Sequence, residues 1–360
     1  MDKFKVRSLT TADIPVAIKF LATQTQGVFS EADWSATLQW IWKDNPFLQQ
    51  HPVGWAIINE AGEFEGILGN IPVRYDVKSQ SHSSFFATSW FVKEEARSLS
   101  LDMFMKYLAQ RGVMVSNTPN PQVEQLLIKA FRYKKADALW FDNSFLFPLN
   151  PVQGFFSAAG KPGFVKRTAF TGGLVLLSVV RPFFRFGKST DASDVSIRCI
   201  DKVGKDTDEW YASFRSLHAC SAERSSEMYN WICFHPQTKH RFLLFEIIYR
   251  EKIHGYFICK KRNHPGSGLP YMELVDEALL PLPEALNGTV ANKLLAAIRQ
   301  HATKNSLLIM RSNNKDTRSA LHKLGGRKIS KVEKTYYRNP FLKKDEETFL
   351  TSLDGDSIFF

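Results

Sequence analysis

Residues able to do chemistry gather in two places along the 360-residue chain. The first is "WFVKEEARSLSLDMFMKYL", Trp90–Leu108, which reads as a strand running through a tight turn into an amphipathic helix. Arg97, Ser98, Leu99 and Ser100 form the turn. A helix start has unpaired backbone N–H groups and the positive end of the macrodipole, so it can hold a phosphate. The same residues also read as a plain serine-capped helix start. Glu94 and Glu95, just before the turn, and His82, before the strand, are of the right type to take a proton from an amine. Each also reads as a solvated loop residue. The second place is "ELVDEALL", which offers Glu273, Asp276 and Glu277 along one strand. Strict alternation puts Glu273 and Glu277 on one face and Asp276 on the other. Acids on a central strand are costly unless paired or facing a cleft. This trio is therefore a second candidate proton-transfer set, with ion pairing to nearby Lys or Arg as the plainer reading.

These residues need a scaffold, and the composition supplies one. Apolar residues make up 44% and charged residues 23%, a folding composition for a chain long enough for two domains. The net charge of +11 favours anionic partners such as phosphorylated cofactors, nucleotide-linked sugars or acidic lipid headgroups. Nucleic acid is not favoured, because aromatic and basic residues do not alternate along any one strand as stacking sheets require. The polar start "MDKFKVRSLTTADIP" is unlike a signal peptide, and no apolar run is long enough to span a membrane. Four Cys lie far apart without a C-x-x-C pair, so no metal site is expected and a cytoplasmic location is. The chain carries no G-x-x-x-x-G-K-[ST], G-x-S-x-G or H-E-x-x-H.

The chain also repeats its own pattern. "LQWIWKDNPF" and "YNWICFHPQ" each put Trp in an apolar helical segment ending at Pro, and each is followed by hairpin strands. A long strand, a helix, a short strand and an Asn-led helix then follow in both halves. Trp42 aligns with Trp231 and Asn120 with Asn314 at a nearly constant offset, which points to a tandem duplication. The expected domains are 1–150 and 196–360, joined by a basic, aromatic-rich linker over 151–195. In that linker Thr168–Gly187 reads as a helix, packing on the domains or lying on a membrane surface.

This order of elements resembles the GNAT superfamily of acyl-CoA-dependent N-acyltransferases over about Val6–Leu149 and Ile197–Asn339. The tandem form, the Trp-rich "W…NP" and "W…HP" segments and the terminal "FLTSLDGDSIF" are similar to acyltransferases of bacterial polysaccharide synthesis. The resemblance implies an α/β (α+β) fold of two GNAT-like domains, each a mixed central sheet flanked by helices. It implies that the first long strand holds the pantetheine arm of acetyl-CoA or another acyl-CoA. Backbone N–H groups near Phe91 and Val92 would hold the oxyanion, and Arg97–Ser100 the pyrophosphate. In the family this turn reads Arg/Gln-x-x-Gly-x-Gly/Ala; here "RSLSLD" has Ser100 and Asp102 at the two glycine positions. Asn120 matches the Asn that opens the family's fourth helix. The tyrosine expected later in that helix, which protonates the leaving thiolate, is replaced by Leu127 in the first copy and by Leu321 in the second; Tyr133 is the nearest substitute. The matching turn of the second copy has no arginine and carries Glu284, so the second domain is read as degenerate or acceptor-shaping. Glu94, Glu95, Glu273 and Asp276 are the candidate catalytic residues. The implied reaction is transfer of an acyl group to an amine, as on an amino sugar in cell-surface polysaccharide synthesis, with peripheral contact to an anionic inner membrane face. The alternatives are an inactive double-domain binding module and a Fem-type transferase using aminoacyl-tRNA.

Overall fold

The computed structural model describes residues 3–25, 28–117, 119–136, 139–142, 144–149, 194–263, 268–302, 307–329, 334–343 and 346–359. The expected linker helix Thr168–Gly187 lies outside them. Two compact units are present, each built on one mixed sheet flanked by helices.

The first unit takes Met1–Ala136, Arg215–Trp231 and Lys334–Phe360. Its sheet runs in the order β1 (Phe4–Leu9), β2 (Gly54–Asn59), β3 (Phe64–Val77), β4 (Gln80–Val92), β5 (Met114–Asn117), β15 (Thr335–Arg338) and β6 (Lys134–Lys135), with β9 (Cys220–Ala222) added on β3. Lys78 and Ser79, both at positive φ, form the two-residue turn between β3 and β4, which matches the right-handed twist of the strands. Helices α1 (Ile14–Gln24), α2 (Glu31–Leu38), α3 (Ser100–Leu108) and α4 (Pro121–Lys129) complete its framework. Their starts follow sequence chemistry: Ser30 and Asp33 form a capping box on α2, and Asn120 caps α4 ahead of Pro121. The helix α3 buries Met103, Phe104, Tyr107 and Leu108 against Trp55, Ile57, Leu68 and Phe85. Each such side chain contributes roughly 1.5–3 kcal/mol by leaving water.

The second unit takes Asp137–Phe214 and Ile232–Glu333. Its sheet runs in the order β8 (Val195–Ile200), β10 (Phe242–Tyr249), β11 (Lys252–Asn263), β12 (Pro270–Leu279), β13 (Leu307–Met310), β7 (Ser144–Pro148) and β14 (Arg327–Ile329). A short helix α5 (Leu139–Asp142) precedes β7, and α6 (Lys205–Arg215), α8 (Glu284–His301) and α9 (Lys315–Lys323) follow, while most of α7 (Ser226–Cys233) belongs to the first unit. Asn314 caps α9 as Asn120 caps α4.

Neither unit is the continuous stretch 1–150 or 196–360. In each sheet the strand beside the short parallel strand is antiparallel and comes from the far half of the chain. β15 pairs with β5 and β6, and β7 pairs with β13 and β14. Within the first unit Trp40 and Trp231 exchange indole-to-carbonyl bonds at 2.9 and 3.1 Å. Among the described residues no helix is long and apolar enough to cross a membrane.

Candidate functional site

The first unit contains an opening in its sheet. β4 and β5 run parallel, but their register holds only at Phe85↔Met114 and Phe86↔Val115. β4 continues through Val92 with no β5 residue opposite it. Exposure changes at the same level on both strands: Phe85, Phe86, Met114 and Val115 are buried, while Ala87 and Ser116 reach solvent. Beyond that apex the two strands therefore border a cleft with one unpaired backbone edge. β4 is also bulged there. Thr88 pairs with Gly69 and Phe91 with Ile67, so Ser89 and Trp90 together face the single residue Leu68, and Ser89 takes a positive φ. A bulge removes backbone groups from the ladder and re-aims them, a common device beside active sites.

The C-terminal segment finishes the cleft. Asp354 is fully buried and accepts hydrogen bonds from the Tyr75 hydroxyl at 2.6 Å and the Thr351 N–H at 2.7 Å. Arg224, also without exposure, lies 3.6 Å from its carboxylate. Gly355 follows at φ +121, and a Cβ there would stand 2.3 Å from Asn117 Nδ2. This position requires glycine on both counts. Asn117, at the end of β5, donates to the Asp354 carbonyl at 3.0 Å and to the Ser357 hydroxyl at 3.1 Å. Its Oδ1 accepts no hydrogen bond among the described residues.

The next residue, Asp356, is half-buried beside β4 and bonds the Thr88 hydroxyl. Burial pushes its carboxyl up to about 7, against the lowering effect of its own backbone N–H and of Thr88. A carboxylate so placed exchanges protons near neutral pH next to the bulge. Sequence reasoning missed it; the only signal was two acids around a glycine in "LDGDSIF".

The expected site residues fall as follows. Phe91 and Val92 lie on β4 just past the bulge, both half-buried. Glu94–Leu99 wind as a 3-10 turn leading into α3. Arg97 and Ser98 are exposed. Neither serine caps the helix: the N-cap is Leu99, with no side-chain cap bond. The Ser100 N–H bonds the Arg97 carbonyl, and its hydroxyl accepts from the Trp90 indole at 3.2 Å. Trp90 also stacks flat on Phe104, rings 4.8 Å apart. Glu94 and Glu95 are exposed at the end of β4, and His82 stacks on Phe341. The Asn120 side chain accepts from the Val123 N–H at 2.9 Å, so its oxygen is engaged in capping. Leu127 and Leu321 are both buried apolar residues. Tyr133 is buried with its hydroxyl bonded to Tyr107.

The second unit has the matching parallel pair, β12 with β13, in register from Tyr271↔Leu307 to Glu273↔Ile309. It has a bulge as well: Leu274 pairs with Cys259 and Asp276 with Ile258, leaving Val275 as the extra residue. This corrects the face assignment, since register now puts Glu273 and Asp276 on one face and Glu277 on the other. Alternation fails because the bulge inserts one residue between them. Glu273 is ion-paired to Arg262 at 2.7 Å and to the buried Arg311 at 2.9 Å. Asp276 has no solvent exposure. Glu277 accepts from the Ser312 hydroxyl and the Asn313 N–H, both at 3.0 Å, and so ties the end of β12 to the loop after β13. The acids that looked most like a site in sequence hold this opening together.

That tie has a pH signature. Burial raises Glu277 to about 7 from its ordinary 4.5, against the lowering hydrogen bonds from Ser312 and Asn313. The unfolded chain therefore releases this proton first. The group's contribution to stability is full below 4.5 and falls as pH rises toward 7. Glu277→Gln should flatten that share of the slope, checked by urea midpoints measured across the interval. An unchanged slope would mean the carboxyl is already ionised in the folded protein.

No protein-family model matches the chain, and no curated protein matches it by sequence. Solved structures do match in fold. A GCN5-related N-acetyltransferase from Anabaena variabilis aligns at TM-score 0.55 and 13% identity, over 93% of this chain and 72% of that one. Saccharomyces cerevisiae N-myristoyltransferase with bound myristoyl-CoA aligns at TM-score 0.54 and 12% identity, over 98% of this chain and 84% of that one. An Enterococcus faecalis protein described as a probable N-acyltransferase aligns at TM-score 0.57 and 10% identity, covering 93% and 72%. The chain has the fold of these proteins, with two GNAT-like mixed sheets.

Proposed function

We propose that the first unit is an acyl-CoA-dependent N-acyltransferase site. The observation that carries this reading is the unpaired, bulged edge of β4 with the Asp356 carboxyl at its side. The fold shared with N-acyltransferases supports it. The free backbone groups beyond Ala87 suit the amides of a pantetheine arm, whose own N–H and C=O groups would pair as a strand edge does. The exposed Arg97 lies at the wide end of the cleft, where the diphosphate of the coenzyme would be met. The coenzyme supplies the activated acyl thioester, and the residues of this chain do the rest. Bulge N–H groups at Ser89–Trp90, with Phe91 and Val92 beyond, stabilise charge on the thioester oxygen. Asp356 takes the proton of the incoming amine as the C–N bond forms and the C–S bond breaks. Sulfur leaves as a thiolate, which needs no strong acid because a thiol has a pKa of roughly 8.5. Leucine at position 127 is compatible with that route. Glu94 and Glu95 lie beyond β4 in the 3-10 turn that carries Arg97, away from the reacting carbon.

The second unit supplies no second transfer site in this reading, because Glu277, Ser312 and Asn313 occupy its opening. The matching strand orders of the two sheets support a tandem duplication in which one copy kept the chemistry. An amino sugar of cell-surface polysaccharide is the proposed acceptor class, and the net positive charge suits its nucleotide or lipid-phosphate carrier.

Calorimetric titration with CoA tests the reading. Arg97→Ala removes a charge-assisted contact and should weaken binding about tenfold or more. Ser98→Ala should change little, since Ser98 makes no cap. Failure of the wild-type protein to bind CoA at millimolar concentration would remove the transferase reading.

A further inference from the structure

We infer that Tyr107 and Tyr133 close the inner end of the first cleft and limit it to short acyl groups, an inference that rests on the transferase reading. The Tyr107 hydroxyl donates to the Phe85 carbonyl at 2.9 Å and faces the Ala87 N–H. Phe85 pairs with Met114, one residue before the last β4–β5 pair at Phe86↔Val115, and Ala87 is the first residue past the pairing. The hydroxyl therefore sits at the apex of the opening, between the strands. Tyr133 bonds it from behind, and Trp55 and Phe104 pack on the ring at 6.2 and 5.5 Å. Both tyrosines are at least 96% buried, at 1% and 4% exposure, so the plug is fixed by core packing rather than by a mobile side chain.

The length available follows from the strand. A thioester carbonyl held at the bulge sits level with Ser89. The coenzyme enters from the wide end, so its acyl carbons point toward Ala87 and the apex. Two residues of strand span about 7 Å. That accommodates an acetyl to butyryl group and stops an extended long chain against the Tyr107 ring. The myristoyl-CoA-bound structure of the same fold shows that the fold itself does not impose the limit. In this chain the limit is the tyrosine pair.

The test is calorimetric binding of CoA, acetyl-, butyryl-, octanoyl- and myristoyl-CoA to the wild-type protein, with no acceptor needed. Acetyl- and butyryl-CoA should bind at least as tightly as CoA, and octanoyl- and myristoyl-CoA about tenfold or more weaker than acetyl-CoA, because the chain must leave the cleft into water. Tyr107→Ala opens the apex and should tighten octanoyl-CoA by roughly fourfold per methylene newly buried, while Tyr107→Phe keeps the wild-type order. If Tyr107→Ala does not fold, the wild-type series decides alone. Equal binding of acetyl- and myristoyl-CoA would overturn the limit and leave the transferase reading standing. Absence of binding by CoA and every thioester would overturn both.

Discussion

Asp356→Asn should lower turnover of acetyl-CoA with glucosamine by about a hundredfold or more, the usual worth of a positioned general base, with CoA binding little changed. The wild-type rate should rise with pH through about 7 as the Asp356 carboxyl ionises. The variant should lose that limb and follow only the ionisation of the amine. Stability adds an independent readout. The carboxyl is raised from its ordinary 3.8 to about 7, so its contribution to stability falls as pH climbs through that interval. At pH 8 the wild-type protein holds a half-buried anion that costs something to keep, whereas the amide is neutral. The variant should therefore be at least as stable there while being catalytically poor. A variant that is both active and unchanged in its pH profile would put the proton acceptor elsewhere, with Glu94 and Glu95 next to be tested.

Asp354→Ala should be the most damaging single change in the first unit. It removes the acceptor of the Tyr75 hydroxyl at 2.6 Å and of the Thr351 N–H at 2.7 Å, and it leaves Arg224 buried without its carboxylate at 3.6 Å. Breaking a buried pair from one side costs about 3–5 kcal/mol, several times the cost of losing one exposed ion pair. For a chain of this size that is a fall in Tm on the order of 10 °C. Because Asp354 seats the turn that carries Asp356, the variant should lose the neutral pH limb of activity as well. Lys334→Ala makes a fair control: it breaks only the exposed pair with Glu124 at 2.8 Å and should leave both measures unaltered. A thermally unchanged Asp354→Ala protein would mean the tail is held by its apolar residues alone.

How far the sequence reveals this arrangement depends on the range over which each feature is determined. Locally determined features are legible: the hairpin turns, the Asn120 and Asn314 caps, the strand–helix–strand passage from β4 through α3 to β5, and its counterpart from β12 through α8 to β13. Each is set by residues within a few positions of one another. The bulges at Ser89–Trp90 and Val275 are not legible, because an extra residue in a strand carries no composition of its own, and one insertion was enough to reverse the face of Glu277. The serines of "RSLS" illustrate a different limit. Their type suits a cap, but a 3-10 turn has already begun at Glu94, so α3 starts at Ser100 with Leu99 as its N-cap and no serine side chain caps it. Asp356 was hidden by distance. Its neighbours in space are Thr88 and Asn117, more than two hundred positions away, and nothing in the local pattern of "LDGDSIF" names them. The buried acids of β12, by contrast, stand out in sequence because their cost is local, while the arginines and backbone donors that satisfy them are not.

The exchange of β7 and β15 gives the molecule an order of assembly. During translation β5 and β6 are made within the first 135 residues, yet the slot between them is filled only by 335–338, so the first sheet cannot close while most of the second unit is still being made. A ribosome that stops early releases a chain with an open sheet edge and with no Asp356. A cut between residues 149 and 194 would likewise yield one fragment that lacks β9 and β15 of the first sheet and carries β7 and another that lacks β7 of the second sheet and carries β9 and β15. Such fragments regain complete sheets only by recombining, so this protein should be expressed and dissected as one chain.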